Sequence, residues 1–242
     1  MKKISFKIKA LLNALILALL FVFIISCAKK NNTPTDNNNR LDTSKTYLAL
    51  GDSYTIGESV AVSGRYPVQT INLLRQQNIK INDPDIIAVT GWTTTDLINA
   101  LNSNPPKNHY TIVSLLIGVN NQYQHRTLEE YKTEFTELLN RSIAYTSDNR
   151  NHVFVLSIPD YSVTPFAAGL DTTKIASEIN EFNNANKTIS INAGVHYLDI
   201  TSVSREAKNN LLFTADDGLH PSAYQYEQWS VLLAPMMQQV LH

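Results

Sequence analysis

The sequence predicts an α/β protein, a three-layer α/β/α sandwich around a parallel sheet of about five strands. Two patterns carry this expectation: five short runs of continuous apolar residues from Tyr47 onward, and segments of helical period between them. Continuous rather than alternating apolarity is what a strand covered on both faces shows. Regular alternation of strand and helix builds a parallel sheet with helices packed on its faces.

In chain order, the runs are Tyr47-Leu48-Ala49-Leu50, Ile86-Ile87-Ala88-Val89, Ile112-Val113-Ser114-Leu115-Leu116-Ile117, Val153-Phe154-Val155-Leu156 and Val195-His196-Tyr197-Leu198. Helical patterns are predicted around 66–77, 95–101, 128–145 and 175–191, with a last one over 222–241. In the third, Leu128, Tyr131, Phe135, Leu138, Leu139 and Ile143 keep the three- and four-residue spacing of an amphipathic helix. Pro221 suits the first residue of the last helix, where its missing N–H costs nothing. From about Thr46 there is no internal repeat and no second linker, and about 195 residues suit one core.

The residues ahead of this body read differently. Lys2, Lys3, Lys7 and Lys9 precede an almost wholly apolar stretch from Ala10 to Ser26, the n-region and h-region of a secretory signal. The stretch ends in Ile24-Ile25-Ser26-Cys27, which resembles the bacterial lipobox. That resemblance implies cleavage before Cys27 and a diacylglycerol on its sulfur, anchoring the protein to a membrane. The alternative is an uncleaved anchoring helix, for which the run is barely long enough. Cys27 is the sole cysteine, so no internal disulfide can form. Residues 1–26 carry four lysines and no acids, and their removal takes the formal charge from −1 to −5. Nothing basic is left to grip nucleic acid.

Residues 28–40 hold one apolar side chain, Ala28, and cannot bury enough surface to offset their ordering entropy. The chain therefore divides into a signal peptide (1–26), a lipidated cysteine with a disordered tether (27–44) and a folded domain (45–242). Ala28 and Lys29 follow the cysteine where aspartate is absent. By resemblance to known sorting rules this points to the outer membrane, with the domain in the cell envelope outside the cytoplasm.

Four short stretches carry the chemistry: Gly51-Asp52-Ser53-Tyr54, the isolated Gly91, Gly118-Val119-Asn120-Asn121 and Asp217-Gly218-Leu219-His220. Each lies at or near the carboxyl end of a predicted strand, where open α/β sheets place ligands. A serine hydroxyl needs an adjacent base to become a nucleophile. Ser53 follows a glycine that lets the chain turn sharply. Thr55 stands where the Gly-x-Ser-x-Gly elbow has its second glycine, which disfavours an α/β-hydrolase. Asp217 and His220, three residues apart on a polar loop, can pair so that one imidazole nitrogen is held and the other takes the serine proton. Helix capping is the competing use of this loop, and Asp216 is the rival carboxylate.

Attack on an ester carbonyl creates an oxyanion that needs donors already aimed at it. The backbone amides of Ser53 and Gly91 and the side-chain amide of Asn120 are the candidates, with an ordinary turn and an Asx-turn as the bland uses of Gly91 and Asn120. The remaining histidines show no ligand spacing such as His-x-x-x-His, so no metal site is expected. Trp92, Tyr123 and Phe166 fall on loops at the same face and either line a cleft or cover the core edge. Residues 158–166, with Pro159 and Pro165, are expected to form one cleft wall.

Together these four blocks, in this order over residues 46–241, resemble the SGNH or GDSL-type hydrolases. The resemblance implies a flavodoxin-like fold, with Ser53 as nucleophile, His220 as base, Asp217 as its partner, and Ser53, Gly91 and Asn120 as oxyanion donors. It implies neither metal nor organic cofactor. Tyr54 departs from the leucine of the name-giving motif, and Asn121 from the more usual aspartate, at positions that do not carry the chemistry. The expected activity is ester hydrolysis through an acyl-enzyme. The absence of a long apolar lid segment points to short acyl chains, and an envelope location points to acetyl esters of polysaccharide. Lysophospholipase or thioesterase chemistry and O-acyl transfer are the alternatives within the family. A catalytically idle glycan- or lipid-binding module is the alternative outside it, disfavoured because binding alone makes no demand for all five residues.

Overall fold

The computed structural model describes residues 44–106 and 109–241. The expected signal peptide, Cys27 and nearly all of the expected tether lie outside the described residues. Strands β1 (Tyr47–Gly51), β2 (Asp85–Ala88), β3 (Ile112–Leu116), β4 (Val153–Leu156) and β5 (His196–Leu198) form one sheet in the order β2-β1-β3-β4-β5. All four neighbouring pairs are parallel. Ala49 stands opposite Ile86 on one side and Ser114 on the other, and Ser114 in turn faces Phe154. The continuous apolar runs have the expected cause in the three central strands, where every residue of β1, β3 and β4 is buried. The edge strands are different: β2 opens on an exposed Asp85 and β5 is half-buried throughout.

The strand order explains the layers. The first crossover runs from β1 outward to β2, and the next returns across β1 to β3, reversing direction. Right-handed crossovers then place the first helix on one face and the next three on the other. The contacts agree: α1 (Tyr66–Gln76) packs on α5 (Ala223–Val240), while α3 (Leu128–Tyr145) packs on both α2 (Thr94–Ser103) and α4 (Thr172–Ala193). Each layer has its own aromatic cluster. Tyr226 meets Trp229 edge-on at 5.0 Å, with Tyr66 6.2 Å from Trp229, between α1 and α5. Tyr131 lies 4.7 Å from Phe182 between α3 and α4. Burial of each such ring contributes roughly 1.5–3 kcal/mol.

Helix boundaries follow their caps. Thr93 and Asp96 form a reciprocal capping box that opens α2, and Thr127 accepts the Glu130 amide at the start of α3. Gly194, in left-handed conformation, closes α4. The last helix begins at Ala223, not at Pro221. Ser222 is its cap, accepting from the Gln225 amide, while Pro221 is held one residue earlier in an antiparallel bridge to Thr214. That bridge, with the Ala215 amide donating to the His220 carbonyl, closes residues 214–221 into a compact loop.

The reversal of crossover direction places a topological switch point between the carboxyl ends of β1 and β3, with the end of β2 beside them. Ser53, Gly91 and Asn120 all follow these three strand ends, whereas Asp217–His220 is not at a strand end as expected: it lies far past β5, on the loop before α5.

Candidate active site

Ser53 is the first residue of a single helical turn, Ser53–Ile56, that begins two residues beyond β1. Asp52 caps this turn, its Oδ1 accepting from the Tyr54 amide at 3.0 Å. Gly51 is needed here for space rather than for an unusual backbone. A Cβ on it would lie 2.1 Å from the Thr55 hydroxyl and 2.3 Å from the Leu116 carbonyl, so β1, the turn and β3 approach too closely for any side chain. The expected sharp turn is thus made by the helical turn itself.

Asp52 is fully buried, and its Oδ2 has no hydrogen-bond partner among the described residues. Burial pushes the carboxyl up from 3.8 to about 7, against the opposing pull of the Tyr54 and Gly118 amides.

The loop closed by Thr214 and Pro221 holds Asp217 against His220. Asp217 Oδ2 lies 2.6 Å from His220 Nδ1, and Oδ1 accepts the amides of Leu219 and His220, each at 2.9 Å. Among the described residues Asp216 makes no such contact, and the carboxylate against the imidazole is that of Asp217. Burial alone would raise the Asp217 carboxyl. The Ser59 hydroxyl at 2.6 Å, the two amides and the imidazole outweigh it and hold Asp217 below the usual carboxylate range. This arrangement holds the ring through Nδ1 and leaves Nε2 without a hydrogen-bond partner among the described residues.

Ser53, Asn120 and His220 line one cavity of about 200 Å³ together with Tyr54, Val119, Tyr123, Tyr161, Phe166 and Leu219. Ser53 and His220 are only 4% and 8% exposed. No hydrogen bond joins them among the described residues. Such contacts often tighten only when substrate is bound.

Asn120 follows β3 in the short helix Val119–Tyr123, and its Nδ2 donates to the Trp92 carbonyl at 2.8 Å. A carboxamide nitrogen has two protons, so one is free to serve an oxyanion. Gly91 is not among the residues lining the cavity. It sits three residues past β2 in a left-handed turn with φ +85°, a conformation that favours glycine, although a Cβ there would meet no atom within 4 Å. The Asn120–Trp92 bond ties this turn to the loop after β3. Asn121 reinforces the tie: fully buried, it accepts the Thr94 amide at 3.0 Å and donates to the Thr94 hydroxyl at 2.6 Å.

The segment 158–166 does form a wall, through Tyr161 and Phe166. Tyr161 donates to Gln122 Oε1 at 3.0 Å, and Tyr123, Tyr161 and Phe166 stand 6.2–6.3 Å apart as a mutual cluster. Tyr123 and Phe166 therefore line the cleft, whereas Trp92 packs against the core. Tyr54 forms the inner wall, edge-on to His220 at 5.7 Å and backed by Trp229 at 6.5 Å. Val119 and Leu219 lie within the quoted blocks and Tyr161 within the expected wall, but no sequence signal singles any of them out, and Ser59 carries none at all. Among the described residues no group of three or more His, Cys, Asp or Glu side chains is placed to hold a metal ion.

Residues 49–228 match the family described as GDSL-like lipase/acylhydrolase. Among solved structures, the fold is similar to that of TesA, with TM-score 0.63 and 13% identity over 81% of this chain and 99% of that one. It is also similar to Axe2, an acetylxylan esterase from Geobacillus stearothermophilus, with TM-score 0.60 and 18% identity over 81% and 94%. A lipase/acylhydrolase from Enterococcus faecalis matches with TM-score 0.59 and 20% identity over 80% and 96%. Among curated proteins, none matches the chain.

Proposed function

Because the chain belongs to the GDSL-like lipase/acylhydrolase family, we propose that it is a serine esterase in which Ser53, His220 and Asp217 act as nucleophile, base and orienting carboxylate. The observation that carries this reading is the single cavity shared by Ser53, Asn120 and His220, with Asp217 bonded to the far nitrogen of the imidazole.

In the proposed reaction the Ser53 hydroxyl attacks the ester carbonyl carbon while His220 Nε2 takes its proton. The carbonyl oxygen becomes an oxyanion facing the Ser53 amide and the free Asn120 Nδ2 proton, while the Gly91 amide, outside the cavity lining, serves as a third donor only if its turn moves in on substrate. Collapse expels the alcohol, which leaves with the proton from His220, and the acyl group stays on Ser53. Water then attacks the acyl-enzyme with His220 again as base, releasing the acid and restoring the serine.

Short acyl esters fit best. A cavity of about 200 Å³ walled by Tyr54, Tyr161, Phe166 and Tyr123 has room for an acetyl or similar group, below the usual range for larger ligands, roughly 300–1,000 Å³. The likeness to an acetylxylan esterase at 18% identity carries the fold alone, so acetylated carbohydrate rests on the cavity and on the expected envelope location. In this proposal residues 1–26 are a lipoprotein signal, Cys27 bears the lipid, residues 27–44 are a tether, and 45–242 is the hydrolase domain in the bacterial envelope, with the outer membrane favoured. No nucleic acid and no cofactor enter the proposed reaction.

The test is hydrolysis of p-nitrophenyl acetate, butyrate, octanoate and palmitate by the protein and its Ser53→Ala variant. The expected result is turnover by the serine protein only, highest for acetate. Equal turnover by Ser53→Ala would remove the serine mechanism. A maximum at octanoate or palmitate would replace the acetyl reading with a lipid one. Product carrying the acyl group on an added sugar would mark a transferase.

A further inference from the structure

Four donors surround the Asp217 carboxylate, and three come from its own loop: the amides of Leu219 and His220 on Oδ1, and His220 Nδ1 on Oδ2. The fourth is the Ser59 hydroxyl, 158 residues away in sequence, which donates to Oδ2 at 2.6 Å. We propose that Ser59 is a positioning residue that fixes the Asp217 carboxylate, and through it the His220 ring, relative to the nucleophile's own segment. This role rests on the reading of Ser53, His220 and Asp217 as the catalytic set.

Ser59 has φ +64°, the left-handed region where a non-glycine residue is strained and glycine is not. Four other described non-glycine residues share this region, and what sets Ser59 apart is that its hydroxyl reaches the Asp217 carboxylate. The turn also reaches a second site loop. Glu58, one residue earlier, accepts a hydrogen bond from the hydroxyl of Thr90, the residue preceding Gly91. The segment just after the Ser53 helical turn therefore holds the Gly91 turn with one side chain and the Asp217 loop with the next. Without Ser59, no bond among the described residues links the carboxylate of Asp217 to the part of the chain that carries Ser53.

Ser59 donates to the same oxygen that faces the imidazole. Its removal leaves more negative charge opposite His220 and frees the carboxylate to rotate. The first effect moves the acidic limb of the kcat/KM profile toward higher pH. The second lowers kcat with KM little changed, because the ester contacts neither residue.

The experiment compares the full-length protein with Ser59→Gly, Ser59→Ala, Asp217→Ala and the Ser59→Ala/Asp217→Ala pair on p-nitrophenyl acetate across pH, with Ser53→Ala alongside. Both Ser59 variants should lose about tenfold in kcat, the size of one charge-assisted hydrogen bond. Ser59→Gly should do so with Tm equal to or above the parent, since glycine relieves the backbone. In the Asp217→Ala background, Ser59→Ala should cost nothing further, as expected if it acts through that carboxylate. A parental kcat and pH profile in Ser59→Gly overturns the proposal while leaving the hydrolase reading intact, and so does an additive loss in the pair. Undiminished hydrolysis by Ser53→Ala overturns the hydrolase reading and the role of Ser59 with it.

Discussion

The floor and the outer wall of the cavity are built on different principles. On the floor, Ser53 and His220 are nearly buried, and the groups around them are held by directed bonds: Asp217 by four donors, Asn120 by the Trp92 carbonyl, Asn121 by Thr94. On the wall, Tyr123 and Phe166 are 52% and 41% exposed, and ring contacts at 6.2–6.3 Å hold them against Tyr161. Bonds of defined direction fix a geometry to fractions of an ångström, as acyl transfer requires. Ring contacts fix only a shape, which suffices to choose among acyl groups and tolerates substitution. Chemistry and selectivity should therefore respond separately to mutation.

The largest effects belong to the floor. Asp217→Asn keeps the shape of the loop but places a donor against Nδ1, favouring the wrong imidazole tautomer. A fall in kcat of about 10⁴-fold is expected. Asn120→Ala removes one proposed oxyanion donor and frees the Gly91 turn from the bond between Asn120 and the Trp92 carbonyl, so a fall of about a hundred- to a thousand-fold is expected. Both are read from steady-state hydrolysis of p-nitrophenyl acetate, and both should leave the ratio of acetate to octanoate rates almost unchanged. A large shift in that ratio would mean that floor residues also set selectivity.

Asp52 tests the floor through stability rather than rate. Its carboxyl is raised from 3.8 to about 7 by burial. Between those values the unfolded chain has released the proton while the folded protein keeps it. Folding is thus most favoured by this group below 3.8, loses that advantage as pH rises toward about 7, and levels off above. Asp52→Asn is neutral at every pH and can still accept the Tyr54 amide. Urea midpoints measured from pH 4 to 8 should fall with pH less steeply in the variant than in the parent. Parallel curves would mean that Asp52 is ionised throughout this range in the folded state.

The same contrast explains what was legible in the sequence. The five strands and the α/β/α layers are readable because each depends on local pattern, continuous apolar runs separated by helical periods, whereas the grouping of Ser53, Asn120, Asp217 and His220 is readable only through the resemblance of four ordered blocks to a known family. The start of the last helix differs from expectation because Pro221 serves a bridge to Thr214, a contact that competes with its helical preference. Gly51 suggests flexibility in the sequence, yet it is required by the approach of Leu116 and Thr55, which only the folded sheet brings near. Ser59 is invisible for the same reason, since its partner is 158 residues away. Phe166 is legible as a candidate residue, but Tyr161 only as part of a segment, because two prolines announce a defined loop without saying which side chains face inward.

The wall offers the smallest effect and the sharpest test of separability. Phe166 and Tyr123 are too exposed for their truncation to cost much stability, and ring contacts rather than side-chain hydrogen bonds hold them in place. Tyr161 is a poorer choice, because it is 4% exposed and bonded to Gln122, so its loss would disturb α4 through Glu178 as well. In Phe166→Ala and Tyr123→Ala the cavity widens at its mouth while Ser53, His220 and Asn120 keep every bond described above. Acetate turnover should stay within about twofold, while kcat/KM for octanoate relative to acetate should rise roughly fourfold to fifteenfold, what one or two extra buried methylenes at about 0.8 kcal/mol each command. If acetate turnover instead falls as far as octanoate turnover, the aromatic wall is positioning the floor, and the division between bonded chemistry and packed selectivity does not hold in this protein.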